Sequence, residues 1–204
     1  MKFHDEFRYN LATAVKHDYL DLRNKIINEE FYAGCLVIDE DVSGMFLIFN
    51  TIEYLKEKDS VLFKKDPYAE FRKMLAPEEF QKSFGQYEKL TMSTKWIPDD
   101  WGYGNNLLED SLINKLNLIL HNKSESLQHS ERINFERKIH KAMMDSLLSL
   151  KMYIKESLNS DIFLFMSVTD SKNSKLIENK SAKKLNTEIS YNEFIKQRNI
   201  VTDD

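Results

Sequence analysis

The sequence predicts an α+β fold built as a single domain over residues 1–204. Two short apolar runs, Phe31–Ile38 and Met45–Phe49, are separated by Asp39-Glu-Asp-Val-Ser-Gly44, a connection short enough to make them an antiparallel hairpin. Long segments on either side repeat apolar residues every three or four positions, the period of an amphipathic helix. A late apolar run, Ile162–Val168, reads as a buried strand returning after the helices. These observations predict a mostly antiparallel sheet of about four strands with an N-terminal hairpin. Several helices pack on it, including one long helix near residues 126–158.

The first helix places Phe3, Phe7, Leu11, Val15, Tyr19, Leu22 and Ile26 on one stripe. Neither hairpin strand alternates cleanly between apolar and polar residues, so both sheet faces are expected to be covered. A second helix is expected from Asn50 or Thr51, where Asn50 and Glu53 have the spacing of a capping box. Pro67 and Pro77 punctuate a charged helical region from Asp66 to Phe84. Leu90, Met92, Thr94 and Trp96 alternate with polar residues, which predicts a half-exposed third strand ending at Pro98. Leu108, Leu112, Leu116 and Ile119 mark the next helix. Phe135, Ile139, Met143, Leu147, Leu150, Ile154 and Leu158 mark the long one. A last helix starts near Thr187, an acceptable cap followed by Glu188, and a short disordered tail is expected near 199–204.

Composition narrows the function classes. The formal net charge is −4, so no global basic field is present to hold nucleic acid phosphates. The lysine-rich stretch Lys172–Lys184 has no interleaved aromatics and reads as a solvated segment. A single cysteine, Cys35, rules out an intramolecular disulfide and a multi-cysteine zinc site; inside an apolar run it reads as a buried, inert thiol. No stretch approaches the ~18 to 20 apolar residues of a membrane helix, and no signal-peptide core is visible, which leads to an expected cytoplasmic location.

Incomplete motifs argue against catalysis and metals. Asp39, Asp41, Ser43 and Gly44 match the first half of a calcium loop, but Asn50 holds the place of the bidentate glutamate and strands flank it. A polar hairpin tip explains the pattern better. His4, His17, His121, His129 and His140 are scattered and form no zinc-binding pair around a glutamate. Serine-nucleophile, phosphate-loop and dinucleotide signatures are absent. Asp170 and Ser171, after the buried strand, read as turn residues. No catalytic residue, metal ligand or cofactor is assigned.

The densest chemistry lies in Trp96-Ile-Pro-Asp-Asp-Trp101-Gly-Tyr103. Pro98 stops a strand, Asp99 and Asp100 turn the chain, and Gly102 and Gly104 give it freedom. Trp96, Asp99, Asp100, Trp101 and Tyr103 are therefore the candidate binding surface, because Trp and Tyr supply rigid area with a polar handle. The alternative is that the rings anchor a long crossover onto the sheet.

This stretch resembles the Trp-Ser-Pro-x-x-Trp-x-Tyr segment of a mainly bacterial family known as domain of unknown function 4303, with Ile97 where serine is common. Phe31-Tyr-Ala33, Asn50-Thr-Ile-Glu53, Thr169-Asp-Ser171 and Ser181-Ala-Lys-Lys-Leu-Asn186 agree in order, and the resemblance runs from about Phe3 to Phe194. It implies a small cytoplasmic α+β domain and brings no catalytic residue or cofactor. An association with toxin–immunity gene clusters is implied only by analogy with similar small families. The leading expectation is a non-enzymatic protein-interaction module, of the immunity type, with a protein partner and neither nucleic acid nor membrane. A small-molecule-binding domain or an enzyme with a pocket at the Trp96–Tyr103 turn is the alternative. The sequence leaves monomer and homodimer equally open.

Overall fold

A computed structural model describes residues 3–64, 69–88 and 94–199. In chain order the elements are α1 (Phe3–Lys25), β1 (Phe31–Ile38), β2 (Met45–Thr51), α2 (Ile52–Lys64), α3 (Ala69–Met74) and α4 (Pro77–Glu88). They continue with β3 (Tyr103–Gly104), α5 (Leu112–Glu125), α6 (His129–Leu158), β4 (Phe163–Val168), α7 (Ser174–Leu185) and α8 (Glu188–Asn199). The fold is α+β, as expected.

The strand order is β3-β2-β1-β4. The hairpin pairs Gly34 with Phe49 and Ile38 with Met45, antiparallel as predicted. β4 lies parallel to β1, with Ala33 opposite Phe163 and Ile38 opposite Val168, so the sheet is mixed. The parallel pairing follows from the helices. α1 leads into β1 and α6 into β4, and contacts of Phe3 with Phe135 and of Lys16 with Tyr153 show the two helices side by side in the same direction.

Strand residues alternate between two cores. Leu36, Ile38, Leu47, Phe49, Leu164 and Met166 face α1, α5 and α6, where the predicted α1 and α6 stripes are buried. Ala33, Cys35, Val37, Phe163 and Phe165 face the opposite way, onto Trp96, Trp101, Ala182 and Phe194. Both faces are covered, which explains the missing polar alternation.

Several expectations are corrected. Residues 89–93 lie outside the described residues, and Thr94–Trp96 is a 3-10 turn with Thr94 and Trp96 buried, not part of a half-exposed strand. The third strand is the two-residue β3, with Tyr103 and Gly104 opposite Phe49 and Ile48. β2 runs through Asn50 and Thr51, so α2 is capped by Thr51, whose Oγ1 accepts from the Tyr54 amide at 3.0 Å. Asn50 is buried and donates instead to the Tyr32 hydroxyl at 3.1 Å. The α5 stripe holds at Leu112, which packs against the core, and at Leu116, which is buried; Leu108 is buried but precedes the helix, and Ile119 is exposed while Ile113 and Leu120 are buried. The long helix begins at His129, where Gln128 and Glu131 form a capping box. The lysine-rich stretch is α7, with Lys175, Lys180, Lys183 and Lys184 exposed and Ser181, Ala182 and Leu185 buried. Most of the predicted tail at 199–204 lies outside the described residues.

Candidate functional site

The aromatic turn is built from two successive 3-10 turns. Ile97 N–H donates to Thr94 O at 3.1 Å, and Trp101 N–H donates to Pro98 O at 3.0 Å. Pro98 occupies the first position of the second turn, where its missing N–H costs nothing and its fixed φ suits the bend. Neither glycine of the turn takes a positive φ, so conformational freedom is not what this chain requires of them. A Cβ on Gly102 would stand 2.7 Å from the Tyr54 ring, so Gly102 is there for close approach.

Trp96 and Trp101 point inward. The Trp96 ring lies 4.8 Å from Phe163 and 5.2 Å from Phe194, and its Nε1–H donates to Gln197 Oε1 at 2.5 Å. Trp101 meets Phe165 edge-on at 5.7 Å and donates to Lys95 O at 3.2 Å. That same carbonyl accepts from the Tyr32 hydroxyl at 2.8 Å. Burial pushes the Tyr32 phenol well above its ordinary value, which keeps this donor protonated. The indoles thus fasten the crossover to the sheet with rings and N–H groups both satisfied.

The acids point the other way. Asp99 is exposed, and Asp100 sits half-buried with Lys58 Nζ at 3.0 Å. Tyr103 stands apart from both groups. Its hydroxyl donates to Glu29 Oε2 at 2.7 Å, the oxygen that also accepts from Thr51 Oγ1 at 2.5 Å. Burial, followed by the Glu29 carboxylate, pushes the Tyr103 phenol up to about 12. The structure therefore divides the five predicted residues among a core anchor, an acidic tip and a link to Glu29.

Glu29 opens onto a cleft that the sequence reading missed. About 710 Å³ in volume, it lies between the C-terminal ends of α1 and α6, and its walls include Tyr19, Arg23, Glu29, Phe31 and Asn159. The walls come from two stretches remote from each other, 19–31 and 158–162, and the cleft meets the aromatic turn at Tyr103, through its bond to Glu29 and its ring contact with Phe31 at 6.1 Å.

The hairpin tip resolves as a polar turn. Val42, at φ 59°, donates its N–H to Asp39 O at 2.9 Å, and Ser43 N–H donates to Asp41 Oδ1 at 3.0 Å. Burial and the neighbouring Asp41 hold the Asp39 carboxyl above its ordinary range. Among the described residues, no three His, Cys, Asp or Glu side chains converge as metal ligands. Cys35 is fully buried, and burial pushes its thiol up, so the thiolate is disfavoured.

The short segments that carry the resemblance sit at joints of this frame. Tyr32 and Asn50 bond each other beneath the turn, and Thr51 caps α2. Asn186 pairs with both backbone groups of Leu164, its Oδ1 accepting at 2.9 Å and its Nδ2 donating at 2.7 Å. Compared with known families, residues 11–187 match the profile described as a domain of unknown function (DUF4303). The chain belongs to that family. Neither the curated proteins nor the solved structures yield a match. The DUF4303 match spans α1 to Thr187 and so contains the aromatic turn, the whole sheet and the cleft, while α8 lies beyond it. Among the described residues, no helix is long and apolar enough to cross a membrane.

Proposed function

We propose that this DUF4303 protein is a non-enzymatic protein-interaction module acting in the cytoplasm. The observation that carries this reading is how the aromatic turn is divided: both indoles are buried as anchors, and Asp99 is left exposed at a held tip beside Asp100 and Lys58. A preorganised projection loses little freedom on binding, and its acids select a basic partner surface. A basic partner is in keeping with the net charge of −4. The finer part of the proposal is an immunity-type role in a bacterium, in which the protein occludes a basic toxin. It rests on the analogy with similar small families.

Affinity capture from the source organism tests the reading. The wild type should retain a protein that an Asp99→Lys, Asp100→Lys double variant retains about tenfold less well. Repeated recovery of no protein partner by the wild type would overturn it. For the immunity role, co-expression should rescue growth from the toxicity of a neighbouring gene product.

A second reading, small-molecule binding, is supported by the cleft. Its volume of about 710 Å³ is that of a ligand site, and Glu29 is held at its wall by Thr51 and Tyr103. A ligand screen by NMR should then shift Phe31 and Tyr19 resonances and lose the response in Glu29→Gln. Shifts confined to other surfaces would remove this reading.

A further inference from the structure

The C-terminal helix α8 sits on the back face of the sheet like a ligand. Of its apolar residues, Phe194 alone is completely buried; Ile195 and Tyr191 are partly buried and Ile189 is 82% exposed. The Phe194 ring enters a seat formed by Trp96, Phe163 and Phe165, with centroids 5.2, 5.0 and 5.4 Å away. Polar contacts surround that anchor. Glu193 Oε1 meets Lys95 Nζ at 2.8 Å, Gln197 accepts from Trp96 Nε1, and Arg198 pairs with the buried carboxylate of Glu178 on α7. Anchor, acceptor and cation thus fall at i, i+3 and i+4, one face of a helix.

The seat is held by bonds that do not involve α8. Trp101 and Tyr32 fix the turn through Lys95 O. Glu178 Oε1 accepts from Ser167 Oγ at 2.5 Å and meets Ser174 Oγ at 3.1 Å. Every residue of the seat lies within 11–187, the stretch matched by the family, and α8 begins at the next position. A twelve-residue helix with one buried ring has little stability of its own.

We propose that this face is a helix-binding groove, that α8 is its intramolecular occupant, and that a partner helix of the same chemistry displaces it. The competitor carries an aromatic residue at i, a hydrogen-bond acceptor at i+3 and a cation at i+4. Only the existence of such a partner rests on the protein-interaction reading; the groove is testable without one.

The probe is a fluorescein-labelled peptide of residues 187–199, followed by anisotropy against the full-length protein. Phe194→Ala, with its own latch loosened, should bind the peptide about tenfold more tightly than the wild type, whose groove is filled. An unlabelled peptide with alanine at position 194 should fail to compete. In the wild type, amide hydrogens of α8 should exchange about tenfold faster than those of α6. A cooperatively folded Phe194→Ala protein that ignores the peptide overturns the proposal, as does α8 exchange as slow as that of α6. If Phe194→Ala does not fold, Arg198→Glu, which sets like charges against each other at Glu178, takes its place. Exchange of α8 between two copies, seen as a dimer in light scattering, would assign the groove to a second copy and overturn displacement by a partner. A failed capture experiment with a positive peptide result would remove the partner and leave the groove.

Discussion

Asp18 lies on α1, yet its carboxylate organises the start of α5. It accepts from Ser111 Oγ at 2.6 Å, Leu112 N at 2.9 Å and Ile113 N at 3.2 Å, and it is fully buried. Removing it strands several donors of a helix N-terminus away from water. Asp18→Ala should therefore lower stability by about 3 kcal/mol in a urea titration, with Asp18→Asn less costly. Gly34 answers to space, since a Cβ there would meet Phe49 Cε1 at 2.3 Å and Leu164 Cδ2 at 3.0 Å. The Phe49 ring is itself held 4.9 Å from Phe31 and 5.3 Å from Tyr19. Gly34→Ala should cost about 2 kcal/mol, read as a lower urea midpoint at unchanged slope. Neither residue is conspicuous in the sequence, because each is required by a neighbour remote along the chain.

At the scale of elements, the sheet edges are closed by side-chain amides. Asn186 covers Leu164 on β4, and Ser181 Oγ accepts from Met166 N at 2.9 Å. On the other side Asn117 accepts from Met45 N at 2.9 Å and donates to Met45 O at 2.8 Å, while Asn105 accepts from Leu47 N at 2.7 Å. An unpaired edge is a template for another strand, and these amides occupy it. An Asn117→Ala, Asn186→Ala double variant should lose about 2 kcal/mol and self-associate, visible as concentration-dependent light scattering. The closing Lys-Lys-Leu-Asn segment thereby acquires a role: its lysines face solvent and its asparagine completes the sheet.

For the whole molecule, buried titratable groups set a window of pH. Burial holds the His140 and His4 imidazoles below their ordinary 6.5, so the unfolded chain binds these protons more readily. Their contribution is complete above 6.5 and is lost as pH falls below it, until the folded imidazoles also protonate. Tyr19, Tyr32 and Tyr103 shift upward from 10.0, so the folded state keeps phenolic protons that the unfolded chain releases. That stability is lost as pH rises above 10, for Tyr103 up to about 12. Urea midpoints measured across pH should peak between about pH 7 and 9 and fall on both sides. Replacing His140 with Gln should flatten the acid limb.

The hairpin, the α1 and α6 stripes, the buried β4 and the family were legible in the residues alone, because apolar period and short motifs are local properties of the chain. The packed molecule sets where α5 starts, since Asp18 caps it from another helix. It also decided that β4 runs parallel to β1, since α1 and α6 lie side by side in the same direction. It placed Trp96 and Trp101 inside, against phenylalanines from β4 and α8, and left Asp99 outside. The cleft beside Glu29 and the seat of Phe194 are assembled from residues distant in sequence, and burial at such sites is a property of the packed molecule.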